Sequence, residues 1–196
     1  MDTAEKDYRQ EFIKIYNENI KREGADKLLE YLTKSDFFTA PASTRFHSSF
    51  EGGLVTHSVK VYERFKKIII SEYGDNYNEV ITDESIAIIA LLHDVCKVDN
   101  YVLDYRNQKI DGQWVQVPYY TTNNSLPYGH GEKSVYIING FIRLTREEAM
   151  AINWHMGAHD ARAQAAGYDL KEAFTRFPVA LLFHVADMET SYLDEN

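Results

Sequence analysis

The stretch from Asp83 to Lys97 constrains this chain more than any other. Ile86-Ala87-Ile88-Ile89-Ala90-Leu91-Leu92 is apolar on nearly every helical face, so a helix opened by Thr82 and Asp83 is expected to run buried through the centre of the fold. It closes on His93-Asp94-Val95-Cys96-Lys97. Taking an imidazole, a carboxylate and an ammonium out of water is costly unless each finds a partner. A divalent metal suits His93 with Asp94, and Lys97 projects from the same side of the helix. Cys96 reads most simply as a small buried apolar residue.

The segments around it are mostly helical. Residues 2–22 place Tyr8, Phe12, Ile13, Ile15, Tyr16 and Ile20 on one face, and a shorter helix spans 26–33 after Gly24. Residues 35–53 lose periodicity and read as a packed, aromatic-rich loop. Helix 54–72 buries Leu54, Val61, Phe65, Ile68 and Ile69, with His57 at the edge of that face. Just beyond it lie Lys60 and Arg64, read either as a solvated flank or as the rim of a site where they bind substrate, and Lys67, a solvated flank. Helices are expected from Gly129 to Ile142, from a capping box at Thr145 and Glu148 to about His155, over 169–174, and from Pro178 onward with His184 and Asp187 embedded. Residues 160–168 are weakly specified.

Residues 98–129 differ. Tyr101–Tyr105 and Gln113–Val117 flank Asp111-Gly112, a strong hairpin signal. An isolated hairpin is marginal, so this one is expected to lie on the helical body. Its aromatic residues can stack on a base. Tyr119, Tyr120 and Tyr128 are expected nearest the site because they approach His130 along the chain. The fold class is therefore all-α: a helical bundle with a small β-hairpin insertion at 98–129, in a single domain over 1–196.

A formal charge of −9 disfavours a large nucleic-acid footprint and leaves room for nucleotides or short oligonucleotides. No apolar run is long enough to span a membrane, and residues 1–6 lack the apolar core of a signal peptide. The single cysteine fits a reducing compartment, so the cytoplasm is the expected location.

Six residues are candidate metal ligands: His57, His93, Asp94, His130, His155 and Asp187. They fall on five helices or helix starts, at apolar faces or beside glycine. Imidazole and carboxylate together suit Mn, Fe, Co, Ni or Zn better than Mg. A lone HD dipeptide says little, since His159-Asp160 is a second one. His159 is expected to be exposed or behind a ligand, and His184 to lie in the core or behind a ligand.

The ordered set Gly52-Gly53-Leu54-Val55-Thr56-His57-Ser58, Leu91-Leu92-His93-Asp94-Val95-Cys96-Lys97, Gly129-His130-Gly131-Glu132, Trp154-His155 and Asp187 resembles the HD-domain metal-dependent phosphohydrolase superfamily. Pro41-Ala42-Ser43 with Arg45 and His47 is similar to the segment before the first metal histidine in bacterial 3′–5′ exoribonucleases with an HD domain. The chain is also similar to small HD hydrolases of phages and bacteria. The resemblance implies an HD bundle with two divalent ions. His57, His93, Asp94 and Asp187 would hold the first, and Asp94 would bridge to a second on His130 and His155. Asp94 and Lys97 would be catalytic, with Lys97 on the phosphate or leaving group. Arg45, His47, Lys60, Arg64 and Tyr128 are the expected substrate contacts. The chain departs from the cyclic-di-GMP-cleaving branch, which has paired histidines and a GYP signature, and it lacks the OB domain of the exoribonucleases. The expected activity is hydrolysis of phosphate esters in nucleotides or short oligonucleotides by metal-activated water. A (deoxy)nucleoside triphosphate hydrolase and a non-catalytic nucleotide-sensing module are the alternatives. The native metal and the oligomeric state, monomer or homodimer, stay open.

Overall fold

A computed structural model of the protein describes residues 6–44 and 48–195. Its helices begin where the chain supplies caps. Asp7 accepts from Gln10 N ahead of α1 (Tyr8–Asn19), and α2 (Ala25–Lys34) follows Gly24. The long α3 (Gly53–Tyr73) leads through a 3-10 turn to α4 (Asp83–Leu92), whose cap Thr82 accepts from Ser85 N at 3.1 Å. Beyond the strands come α5 (His130–Asn139) and α6 (Arg146–Asn153), the latter opened by a formed capping box between Thr145 and Glu148. Then follow α7 (Ala161–Ala166), α8 (Tyr168–Arg176) and α9 (Pro178–Glu189), with Pro178 in its first turn.

Every residue from Ile86 to Leu92 is buried, as an all-apolar helix demands. Helix α4 packs on α3, with α1 and α6 also against it. Phe65 of α3 meets Phe183 of α9 edge to face at 5.0 Å. Phe12 of α1 joins Phe37 and Phe38 in a ring cluster, which packs the stretch after α2 onto the body. One polar knot ties the outer helices down. Arg22 donates two hydrogen bonds to the buried Glu148 carboxylate, at 2.8 and 2.9 Å, and Ser85 adds a third at 2.7 Å. Among the described residues, no helix is long and apolar enough to cross a membrane.

The structure departs from the sequence reading in three places. Helix α4 stops at Leu92 and does not run on to Lys97. His93 caps it, Asp94 leaves helical geometry (φ −104, ψ 16), and Val95–Lys97 forms a 3-10 turn. Successive helical side chains diverge by about 100°. Leaving the helix at Asp94 lets its carboxylate come back to 3.3 Å from His93 Nε2. The second departure is the hairpin. Strands β1 (Tyr101–Ile110) and β2 (Gln113–Thr122) pair antiparallel over their full length around Asp111-Gly112, whose positive φ values (50 and 83) suit a tight primed turn. The ribbon does not lie on the body, and its outer part stands in solvent: Trp114 is 73% and Tyr105 58% exposed. Tyr101, Leu103, Tyr105, Trp114, Pro118 and Tyr120 share one face, while Val102, Ile110, Val115, Val117 and Tyr119 share the other. Third, residues 161–166 form the short α7, started by Asp160, which accepts from Arg162 N.

Candidate metal centre

Five elements deliver the site. His57 lies in the first turns of α3, His93 and Asp94 at the end of α4, His130 opens α5, His155 follows α6, and Asp187 lies in α9. Two glycines permit the approach. A Cβ on Gly131 would fall 2.2 Å from the Asn153 carbonyl oxygen, so only glycine lets the start of α5 meet the end of α6. Gly157 (φ +53) leaves room for the His184 ring, which a Cβ would meet at 2.4 Å. His184 Nδ1 donates to the His155 carbonyl at 2.6 Å and so braces that segment.

Asp94 is the hub. Its Oδ2 lies 3.3 Å from His93 Nε2, 3.7 Å from His57 Nε2 and 2.5 Å from Lys97 Nζ. Its Oδ1 lies 2.7 Å from His130 Nε2 and 3.5 Å from His155 Nε2. His57 Nε2 also sits 3.3 Å from His93 Nε2 and 3.2 Å from Asp187 Oδ1. The rings are aimed from behind. His93 Nδ1 donates to Ala90 O at 2.8 Å, and His155 Nδ1 to Ile152 O at 2.7 Å, which turns each Nε2 lone pair inward. Behind His57 stands a carboxylate, Glu195 Oε2, 3.2 Å from Nδ1.

The electrostatics follow from burial and neighbours. Burial alone would raise the Asp94 carboxyl, but Lys97 and His93, then the His130 hydrogen bond, hold it well below the usual carboxylate range. Asp187 is likewise held low by His57 against its burial. Burial lowers His93 and His130 and favours neutral, ligand-ready imidazoles. His57 goes the other way. Burial works against its charge, yet Asp187 and Glu195 raise it to about 9. Burial pushes the Cys96 thiol up to about 12.

These residues fit a metal ion. His155 Nε2 is buried and makes no hydrogen bond; at 3.5 Å its approach to Asp94 is too loose for one. A buried nitrogen left so is costly, and a cation supplies the missing partner. Ligand atoms of His57, His93 and Asp94 lie within 4.8 Å of one another, as do those of His93, His155 and Asp187, and those of Asp94, Cys96 and His130. The buried cluster is therefore able to hold a metal ion.

The cluster floors a cavity of about 800 Å³, walled by Ser43 and Thr44 of the packed loop, Tyr101 and Thr122 at the ribbon's root, and Met156, His159 and Met188. The structure brings His57, His93, Asp94, Lys97, His130, His155 and Asp187 together, and it places other expected contacts elsewhere. Lys60 donates to the Asp194 carbonyl at 3.0 Å, and Arg64 pairs with Asp194 (2.5 Å) and Glu189 (3.1 Å). Both cations are held on the 189–194 segment, Arg64 by carboxylates and Lys60 by a main-chain carbonyl, and neither lines the cavity. Tyr128 is outside the cavity lining and stacks on Tyr136 at 5.2 Å, while Tyr119 donates to Asp104. Tyr101 lines the cavity from the hairpin instead. Arg45 and His47 lie outside the described residues. Sequence reasoning missed Glu195, and no local pattern around it pointed to His57, 138 residues away. The second HD pair is no ligand set: Asp160 holds Arg162 at 2.6 Å, and Arg162 lies over the Trp154 ring at 4.4 Å.

Fold and site together define a mostly helical protein with a buried histidine–carboxylate cluster under a small cavity. No protein-family model matches the chain, and neither does any curated protein or solved structure.

Proposed function

We propose that this protein is a metal-dependent phosphohydrolase of the HD superfamily that cleaves phosphate esters in nucleotides or short oligonucleotides. One observation carries the reading. A single buried carboxylate, Asp94, faces His57 and His93 from one oxygen and His130 and His155 from the other, with Lys97 Nζ 2.5 Å from it. That arrangement suits two divalent ions sharing Asp94, the first completed by Asp187. Mn, Fe, Co, Ni or Zn match the donors better than Mg. The ions would supply a water acidic enough to attack near neutral pH, and positive charge against the phosphoryl oxygens.

The chain's own residues do the rest. Burial works against the Lys97 ammonium, but Asp94 keeps it charged, so a fixed cation faces the cavity where negative charge grows on the phosphoryl group. No side-chain nucleophile is required. A cavity of about 800 Å³ lies within the usual range for small ligands and is too small for duplex nucleic acid. The expected setting is the cytoplasm, where Cys96 stays reduced.

The test is a panel of nucleotides, cyclic nucleotides and short oligonucleotides assayed with Mn, Fe, Co, Ni, Zn and Mg. Metal-dependent release of nucleoside monophosphate or phosphate is expected, abolished by Asp94→Asn and lowered about 100-fold or more by Lys97→Ala. Release of triphosphate would move the assignment to a nucleoside triphosphate hydrolase. Nucleotide binding with no turnover under any metal would leave a sensing module.

A further inference from the structure

We infer that the second ion of this centre is held in part by sulfur, with Cys96 Sγ as a ligand beside Asp94 Oδ1 and His130 Nε2. The inference rests on the metal-centre reading above. In the sequence Cys96 is only a small residue in an apolar stretch. The 3-10 turn at Val95–Lys97 changes its surroundings by carrying Cys96 back beneath Asp94, and Ser134 Oγ of α5 pins the turn by accepting from Cys96 N at 3.1 Å. The thiol then points at an imidazole nitrogen, with Sγ 3.4 Å from His130 Nε2.

The spacing is that of two ligands on one ion. A metal–sulfur bond of about 2.3 Å and a metal–nitrogen bond of about 2.0 Å, opened to a tetrahedral angle, put sulfur and nitrogen about 3.5 Å apart. The same arithmetic sets nitrogen and carboxylate oxygen about 3.4 Å apart. His155 Nε2, buried and without a hydrogen-bond partner, waits 3.5 Å from Asp94 Oδ1. The His130–Asp94 pair is a direct hydrogen bond at 2.7 Å and must open by about 0.7 Å to admit an ion. With Cys96 included, the second ion has Asp94, His130 and Cys96 within reach of one another, with His155 Nε2 beside the same Asp94 oxygen as His130. On binding, the thiol proton passes to solvent and the thiolate takes its place on the metal. A thiolate turns the second site toward zinc, cobalt or iron and away from magnesium and manganese.

Cobalt(II) alone is the probe, titrated into metal-stripped full-length protein. Visible d–d bands are expected together with an intense near-ultraviolet sulfur-to-cobalt charge-transfer band. Cys96 is the chain's only cysteine, so that band can have no other source. In Cys96→Ser and Cys96→Ala, both checked for folding by circular dichroism, the charge-transfer band is expected to vanish while d–d bands persist. Wild-type d–d bands without the charge-transfer band would overturn the thiolate ligand and leave the metal centre standing. No cobalt bands at all would remove the metal centre, and the sulfur ligand with it.

Discussion

Asp94 and Lys97 show how much one buried residue depends on another. Both are buried, and Lys97 Nζ sits 2.5 Å from the carboxylate. In Asp94→Asn the ammonium loses the counter-ion that holds its charge against burial. The metal-free variant is expected to lose about 3–5 kcal/mol in urea unfolding. Adding Lys97→Met should recover much of that loss without restoring metal binding; a double variant no more stable than the single one would show that the pair is not coupled. Glu195 acts one step further out. Held 3.2 Å behind His57 Nδ1, it keeps Nε2 turned toward Asp94 and Asp187. Glu195→Gln is expected to weaken zinc binding by about 10–100-fold in calorimetric titration. An unchanged affinity would mean that the carboxylate is only packed there.

At the scale of elements, the meeting of α5 with α6 decides whether His130 and His155 can share a target. Their rings are 5.2 Å apart because Gly131 lets the backbones touch. Gly131→Ala puts a methyl 2.2 Å from the Asn153 carbonyl, so the helix start must move. A loss of about 1–3 kcal/mol is expected, with fewer metal equivalents bound per chain. The neighbouring knot of Asp160 and Arg162 predicts a pH effect. Arg162 lowers the Asp160 carboxyl from its ordinary 3.8. A depressed carboxyl stabilises fully above its unfolded value, and that contribution is lost as the pH falls through the folded one. Asp160→Asn should therefore flatten the fall in thermal midpoint between about pH 5 and pH 3. An acid limb as steep as the wild type's would place the titration elsewhere.

For the whole molecule, the ribbon is the test of what the fold needs. Its ends are tied where Asn123 N donates to Asn100 O at 2.9 Å, and Tyr101 and Thr122 line the cavity. Beyond that root it is largely exposed. Replacing residues 102–121 with a tight turn is expected to keep the helical circular dichroism and metal content, and to move the melting temperature by no more than a few degrees. Collapse of the variant would show that the ribbon supports the bundle.

What the sequence determined by itself is what local physics decides. Caps at Thr82 and Thr145, Pro178 in a first turn and Asp111-Gly112 in a hairpin act over a few residues, so these helix starts and the hairpin turn were legible, while the strands run five residues further each than read. The polar end of α4 was legible because an apolar helix must answer for every buried charge. Tertiary structure alone decided where the side chains went. His57, His130, His155 and Asp187 meet at Asp94 only because α3, α5, α6 and α9 pack around the end of α4, and no spacing along the chain encodes that convergence. Arg64 turned to the carboxylates of Asp194 and Glu189, and Lys60 to the Asp194 carbonyl, more than a hundred residues away, because polar groups pair by distance in space. Cys96 came to face His130 because α4 ends at Leu92 and the chain turns through Val95–Lys97 beside α5.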